Sequence, residues 1–259
     1  MPSVKIAFSR RFQECPGIRV LKALPNFGDY SLEEQEWIRQ AVKIYYPTKL
    51  FVDLFITMGK DIFPSRETYV YSGDKIKQTA LFQLLQVPHP RTKIYFGQQK
   101  GEILNEFTLP VIAKVPRGSS MGRGVFLIRS PEELDHYLHH SRVAYIQEYL
   151  PLDRDIRIIL IKHRVILAYW KVARSGDFRS NLAQGARIDF ENIPQGALDF
   201  ARQITRLCNF EDVGFDICHT PEKGWMVLEA NMNYGRQALQ ERGLALRQVL
   251  RDLVEEGII

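Results

Sequence analysis

Hydrophobic and polar positions divide this chain into short elements. Residues 4–8 (Val-Lys-Ile-Ala-Phe) read as a strand. Residues 31–45 read as an amphipathic helix, with Ser31 as N-cap and Glu34 three residues on, as in a capping box. The apolar run 49–57 reads as a second strand, and Pro64 with the polar run to Thr68 reads as a linker. Ile76, Ala80, Leu81, Leu84 and Leu85 give a helix over 74–85 one apolar face, and Pro88 and Pro90 stop it. Strands follow at 92–96, 110–115 and 124–128. Ser130-Pro131-Glu132-Glu133 opens another helix. Further strands read at 143–149, 156–161 and 165–172. A helix over 194–208 precedes paired strands at 213–218 and 225–230, and residues 237–256 read as one amphipathic helix.

Strands and helices mix without a strict βαβ rhythm, which favours an α+β arrangement with antiparallel sheets. The 259 residues suffice for one large domain or for two to three lobes. No apolar run approaches the ~20 residues a membrane-crossing helix needs. Three dispersed cysteines, Cys15, Cys208 and Cys218, make no disulfide framework and fit a reducing cytoplasm. The net charge of +5 suits an anionic ligand or an ordinary surface, and the basic residues are too scattered for a nucleic-acid patch.

The most informative constellation is Gly214-Phe-Asp216-Ile-Cys-His, the turn Pro-Glu-Lys-Gly, then Trp225-Met-Val-Leu-Glu229-Ala-Asn231. A hairpin centred near Glu222 and Lys223 sets Asp216 almost opposite Glu229, with Asn231 on the face of Glu229. Two facing carboxylates repel and need a cation. Oxygen ligands of this kind suit Mg²⁺ or Mn²⁺, completed by phosphate and water. The alternative is a solvated hairpin face.

Lys114 lies inside the apolar strand Pro110-Val-Ile-Ala-Lys114-Val and must pair or reach a ligand. The Gly-rich turn 117–124 follows, able either to cradle phosphate or to be a plain flexible turn. Gln147-Glu148-Tyr149-Leu150 ends a strand where an adenine edge could bind. Asp155 could accept from ribose hydroxyls, and Arg179 and Asn181 in Gly176-Asp-Phe-Arg-Ser-Asn181 suit an anionic oxygen.

In this order the segments from Asp74-Lys75 to Leu228-Glu229-Ala-Asn231, over roughly residues 65–235, resemble the ATP-grasp superfamily, and most closely its ribosomal-protein glutamate ligase (RimK-like) branch. The resemblance implies ATP held between two antiparallel α+β lobes. Residues 1–66 would form a shortened α/β region, 67–146 the first lobe and 147–259 the second. It implies nucleotide contacts from Lys75, Lys114, Ser119, Ser120, Met121, Gly122, Gln147, Glu148, Tyr149, Leu150, Asp155 and Leu228. Asp216, Glu229 and Asn231 would ligate Mg²⁺ (or Mn²⁺), and Arg179, Asn181 and Lys171 would face the transferring group.

The implied chemistry is an ATP-dependent carbon–nitrogen ligation through an acylphosphate, joining a carboxylate to an amine on an amino acid, peptide or protein, with a homo-oligomer a reasonable assembly. A small-molecule kinase and a nucleotide-binding regulatory module are the alternatives. Family members usually continue past the metal-binding asparagine with Ser-Pro-Gly; here the segment is Asn231-Met-Asn233-Tyr-Gly235-Arg236.

Overall fold

Four strands of three residues each open the computed structural model, which describes residues 4–118, 124–173 and 185–259. They are β1 (Lys5–Ala7), β2 (Ile18–Val20), β3 (Lys43–Tyr45) and β4 (Asp61–Phe63), with α1 (Leu32–Gln40) and α2 (Val52–Thr57) between them and α3 (Arg66–Val70) following. The strands pair in parallel in the order β2-β1-β3-β4. The short N-terminal region is therefore a complete small α/β sheet.

Several expectations change here. The run 49–57 is largely helical, because Val52 and Phe55, three apart, share the buried side. The first helix ends at Gln40, and the β-branched and aromatic run Val42-Lys-Ile-Tyr-Tyr46 supplies β3 instead. Ser31 does form the capping box with Glu34. The expected linker follows β4 directly and holds the start of α3, capped by Ser65.

The second sheet follows α4 (Lys75–Leu84) and comprises β5 (Thr92–Phe96), β6 (Val111–Lys114), β7 (Val125–Ile128) and β8 (Val143–Glu148), with α5 (Ile103–Glu106) and α6 (Pro131–His139) connecting them. It is antiparallel, in the order β5-β8-β6-β7. α4 buries Lys75, Gln78, Thr79 and Phe82, and leaves Leu84 82 % exposed. The apolar face read from the sequence is thus largely not the buried face.

The third sheet contains β9 (Arg154–Ile161), β10 (Arg164–Val172), β11 (Arg187–Asp189), β12 (Asp212–Thr220) and β13 (Gly224–Asn231), with α7 (Gln195–Cys208) before β12. Its order is β11-β10-β9-β12-β13, all antiparallel. One face packs Ile156, Ile158, Leu160, Phe215 and Ile217 against Ala197, Ala201 and Ile204 of α7. The single C-terminal helix expected over 237–256 is two, α8 (Gln237–Glu241) and α9 (Leu246–Glu255), parted at Gly243, whose φ of 67° ends the first. Leu246, Leu250 and Leu253 of α9 join the core of the N-terminal sheet with Ala7, Phe12, Tyr45 and Phe63. The α+β class with antiparallel sheets holds.

Candidate active site

Alternation along the strands builds the site. Residues two apart share a face, so Asp155 and Arg157 of β9 point together, as do Tyr169 and Lys171 of β10. The registers Tyr169↔Arg157, Arg157↔Asp216 and Asp216↔Glu229 then set four side chains in one row across β10, β9, β12 and β13. Lys171↔Asp155 begins the adjacent row. The Asp216–Glu229 pairing depends on a bulge between Asp216 and Ile217. The turn sets Ile217 against Val227, and Leu228 is the extra residue that lets Glu229 face Asp216.

Asp216 is 6 % exposed and held by three contacts. Arg157 Nε and Nη2 donate to its two oxygens at 2.5 and 2.8 Å, and Lys171 Nζ lies 2.9 Å from Oδ1. Burial pushes the Asp216 carboxyl up, but the Arg157 and Lys171 charges outweigh it and hold the group well below the usual carboxylate range. Lys171 also pairs with Asp155 at 2.8 Å. Burial dominates at Asp155 and raises its pKa. Asn231 Nδ2 lies 3.4 Å from Asp216 Oδ2.

The second sheet faces this row. Lys75, Gln78, Thr79, Lys114, Tyr145, Gln147, Leu228 and Glu229 line a narrow cleft between the two sheets. Lys75, the first residue of α4, reaches Glu229 Oε1 at 2.9 Å. Its place is set by Asp74, which caps α4 through Lys77 N and accepts from Arg117 Nε at 2.8 Å, so the start of the Gly-rich segment is tied to the helix that carries Lys75.

Lys114 is different. It is 8 % exposed, and among the described residues no carboxylate pairs with it; its ammonium lies 5.9 Å from the Tyr145 ring centroid. Burial brings its pKa down to about 8.

The sequence-derived residues sort as follows. Lys75, Lys114, Gln147, Leu228 and Glu229 meet at the cleft, and Lys171, Asp216 and Asn231 meet in the charged layer beside it. Asp155, the second residue of β9, is 1 % exposed and lies in that layer, paired with Lys171. Glu148 is engaged by Lys223 Nζ, at 2.6 and 2.5 Å, and by Arg91 N. Tyr149 and Leu150 follow it outside the strand, half-buried, and do not line the cleft. Ser119, Ser120, Met121, Gly122, Arg179 and Asn181 lie outside the described residues. Arg157 was absent from the sequence-derived set, although its spacing from Asp155 placed it on the same face. Gln78 was also absent; it clamps β13 by donating to Ala230 O at 2.8 Å.

The family model of the RimK-like ATP-grasp domain matches residues 72–251. The chain belongs to this family. It is 26 % identical over 188 residues to the alpha-aminoadipate–LysW ligase LysX of Sulfurisphaera tokodaii, covering 69 % of this chain and 65 % of LysX. It is 27 % identical over 178 residues to beta-citrylglutamate synthase B of Danio rerio, covering 65 % of this chain and 44 % of that protein. The chain thus matches under two thirds of the length of these relatives. The ATP-grasp ligase PsnB, solved with a minimal precursor, Mg and ADP, superposes with a TM-score of 0.68 at 14 % identity, covering 97 % of this chain and 96 % of PsnB. That likeness is one of fold.

The donor set suits a hard divalent cation. Asp216, Glu229 and Asn231 offer oxygens only, and two carboxylates with an amide leave room for phosphate and water, as Mg²⁺ prefers. Among the described residues no cluster of three His, Cys, Asp or Glu makes a metal site on its own. The protein's own cations hold the carboxylates meanwhile. Lys75, Lys114, Arg157 and Lys171 are four charges against three from Asp155, Asp216 and Glu229. The excess is positive, which favours an anionic nucleotide over a bare metal.

Proposed function

We propose that this chain is a Mg-ATP-dependent ligase joining a carboxylate to an amine on an amino acid, peptide or protein. The observation that carries this reading is Lys114: a buried ammonium with no carboxylate partner among the described residues, facing a cleft that also holds Lys75 and Glu229. A buried charge of this kind is costly unless an anion meets it. Triphosphate oxygens would do so, and Lys75, released from Glu229, would be the second phosphate contact. Asp216, Glu229 and Asn231 would hold Mg²⁺, which supplies charge neutralisation at the phosphates.

In the proposed reaction a carboxylate oxygen attacks the γ-phosphorus, the bond to the bridging oxygen breaks, and ADP leaves. The amine then attacks the acyl carbon, phosphate leaves, and the nitrogen gives up a proton. The protein's part is positioning and electrostatics. Three relatives support the choice of reaction by name: LysX, beta-citrylglutamate synthase B and a ribosomal protein bS6–L-glutamate ligase from Escherichia fergusonii. The three buried free cysteines fit a reducing cytoplasm.

The test is a screen of carboxylates with and without amines, read by ADP and phosphate release. Release of both that requires carboxylate and amine together supports the ligase. A stable phosphorylated product indicates a kinase, and no stimulated ADP release indicates a binding module.

A further inference from the structure

One buried carboxylate takes no part in the charged row. Asp212, the first residue of β12, is 4 % exposed. It has no ion pair among the described residues and instead accepts two phenols. Tyr46 OH donates to Oδ2 and Tyr234 OH to Oδ1, each at 2.7 Å. The Arg11 guanidinium lies 5.5 Å from the Tyr46 ring centroid.

The three partners come from three parts of the fold. Tyr46 directly follows β3 of the N-terminal sheet, in a left-handed conformation with φ of 47°. A bulky residue there is held by its surroundings. Asp212 opens the strand that carries Asp216. Tyr234 lies three residues past Asn231, in the segment where this chain departs from the usual Ser-Pro-Gly.

The link continues to the charged row. A Cβ built on Gly214 would lie 3.1 Å from Tyr234 Cβ and 3.2 Å from Arg157 Cδ. Tyr234 and the Arg157 stem therefore both occupy the space that a side chain at Gly214 would fill, side by side over the same bare backbone. Arg157 in turn grips both oxygens of Asp216. Other bonds hold the same stretch to the N-terminal region: Ser65 Oγ donates to Asn209 O at 2.5 Å, and Glu211 N donates to Thr68 Oγ1 at 3.0 Å.

We propose that Asp212 is a positioning residue: by gathering Tyr46 and Tyr234 it fixes Tyr234 against Gly214 and Arg157, and so sets how Asp216 is presented to the metal of the bound nucleotide. This rests on the nucleotide reading above. It gives the N-terminal sheet a part in the site although none of its residues lines the cleft. A carboxyl group suits the task because its two oxygens can accept from two hydroxyls at once.

The experiment uses the full chain with ADP as probe. ADP affinity is measured by calorimetry without Mg²⁺ and over a Mg²⁺ series, for the wild type, Tyr46→Phe, Tyr234→Phe and the double variant. The expected result is metal-free affinity within about twofold of wild type, with the gain from Mg²⁺ falling roughly three- to tenfold in each single variant, the size of effect that loss of one ordinary hydrogen bond predicts. The double variant should lose little more than either single one, because both phenols act through one carboxylate. Tyr46→Phe perturbs the link from outside the segment after β13, so a folding failure of Tyr234→Phe leaves the test standing. Lower thermal stability with an unchanged Mg²⁺ gain in the variants would overturn the positioning role alone. A wild type that binds no ADP with or without Mg²⁺ would overturn the nucleotide reading and this proposal with it.

Discussion

Lys114→Met removes the ammonium and keeps an unbranched, adaptable stem. Burial takes Lys114 from the ordinary value of 10.5 to about 8. That fall is about 2.5 decades at about 1.4 kcal/mol each, or roughly 3 kcal/mol of cost to the folded state. The sign follows from protonation. Below pH 8 the lysine is charged in the folded and unfolded chains alike, so the full cost is present. As pH rises from about 8 through 10.5 the folded chain sheds the proton first, and the cost lifts. Lys114→Met should therefore be more stable than wild type at pH 7, by up to about 3 kcal/mol, and the difference should shrink towards pH 10. Nucleotide binding should move the other way. An anion favours the charged lysine, so wild-type affinity for Mg-ATP should weaken about tenfold per pH unit above 8 until the bound-state pKa is reached. The variant should lack this slope and bind roughly 10- to 100-fold more weakly at pH 7, the range for one charged hydrogen bond. Denaturant melts and calorimetry at pH 7, 8, 9 and 10 measure both. A variant with wild-type affinity and wild-type slope would refute the assignment of Lys114 to the phosphates.

Glu229→Ala should abolish Mg-dependent ADP release while Lys75 remains free to meet phosphate, checked by turnover in a coupled assay; unchanged turnover removes the metal role. Asp216→Asn should cost about 3–5 kcal/mol, because it leaves Arg157 and Lys171 short of a buried counter-charge; urea unfolding measures it. In Gly196→Ala the new Cβ would lie 2.9 Å from Trp225 Nε1. The rigid indole cannot yield cheaply, so stability should fall by about 1–3 kcal/mol with cleft residues untouched, as a melting temperature reports.

The charged row was legible where turn chemistry and strand alternation act together. Pro-Glu-Lys-Gly placed the turn, and Asp216 fell opposite Glu229. A tight turn alone would have set Asp216 against Leu228; the bulge restores the pairing, and nothing local in Val-Leu-Glu announces it. The face of α4 was misread because its inward side looks at the cleft, so Gln78 and Thr79 are buried while Leu84 is exposed. Periodicity finds a core, and the wall of a ligand site breaks that rule. Of the N-terminal sheet only β1 was legible; β2, β3 and β4 escaped because three residues are too few to show alternation, and because Val52 to Thr57 is apolar enough for strand or helix. The pairing of Asp155 with Lys171 was not legible in the sequence. Its register opposite Lys171 is a long-range fact that order does not contain.

Strand β9 has neighbours on both edges and partners on both faces. Ile156, Ile158 and Leu160 lie beneath α7, Ile159 packs with Ala238 and Leu239 of α8, and Ile161 enters the core shared by the N-terminal sheet and α9. Its amides are released only when all of these give way, so β9 should exchange its hydrogens slowest in the chain, at the rate set by global unfolding. Asp155 and Arg157 ride on that strand. The charged layer they anchor is therefore the last part of the site to open. The sheet that carries Lys114, tied to the hairpin of the other sheet by Glu148–Lys223, is the part whose local opening would set how fast a nucleotide enters and leaves.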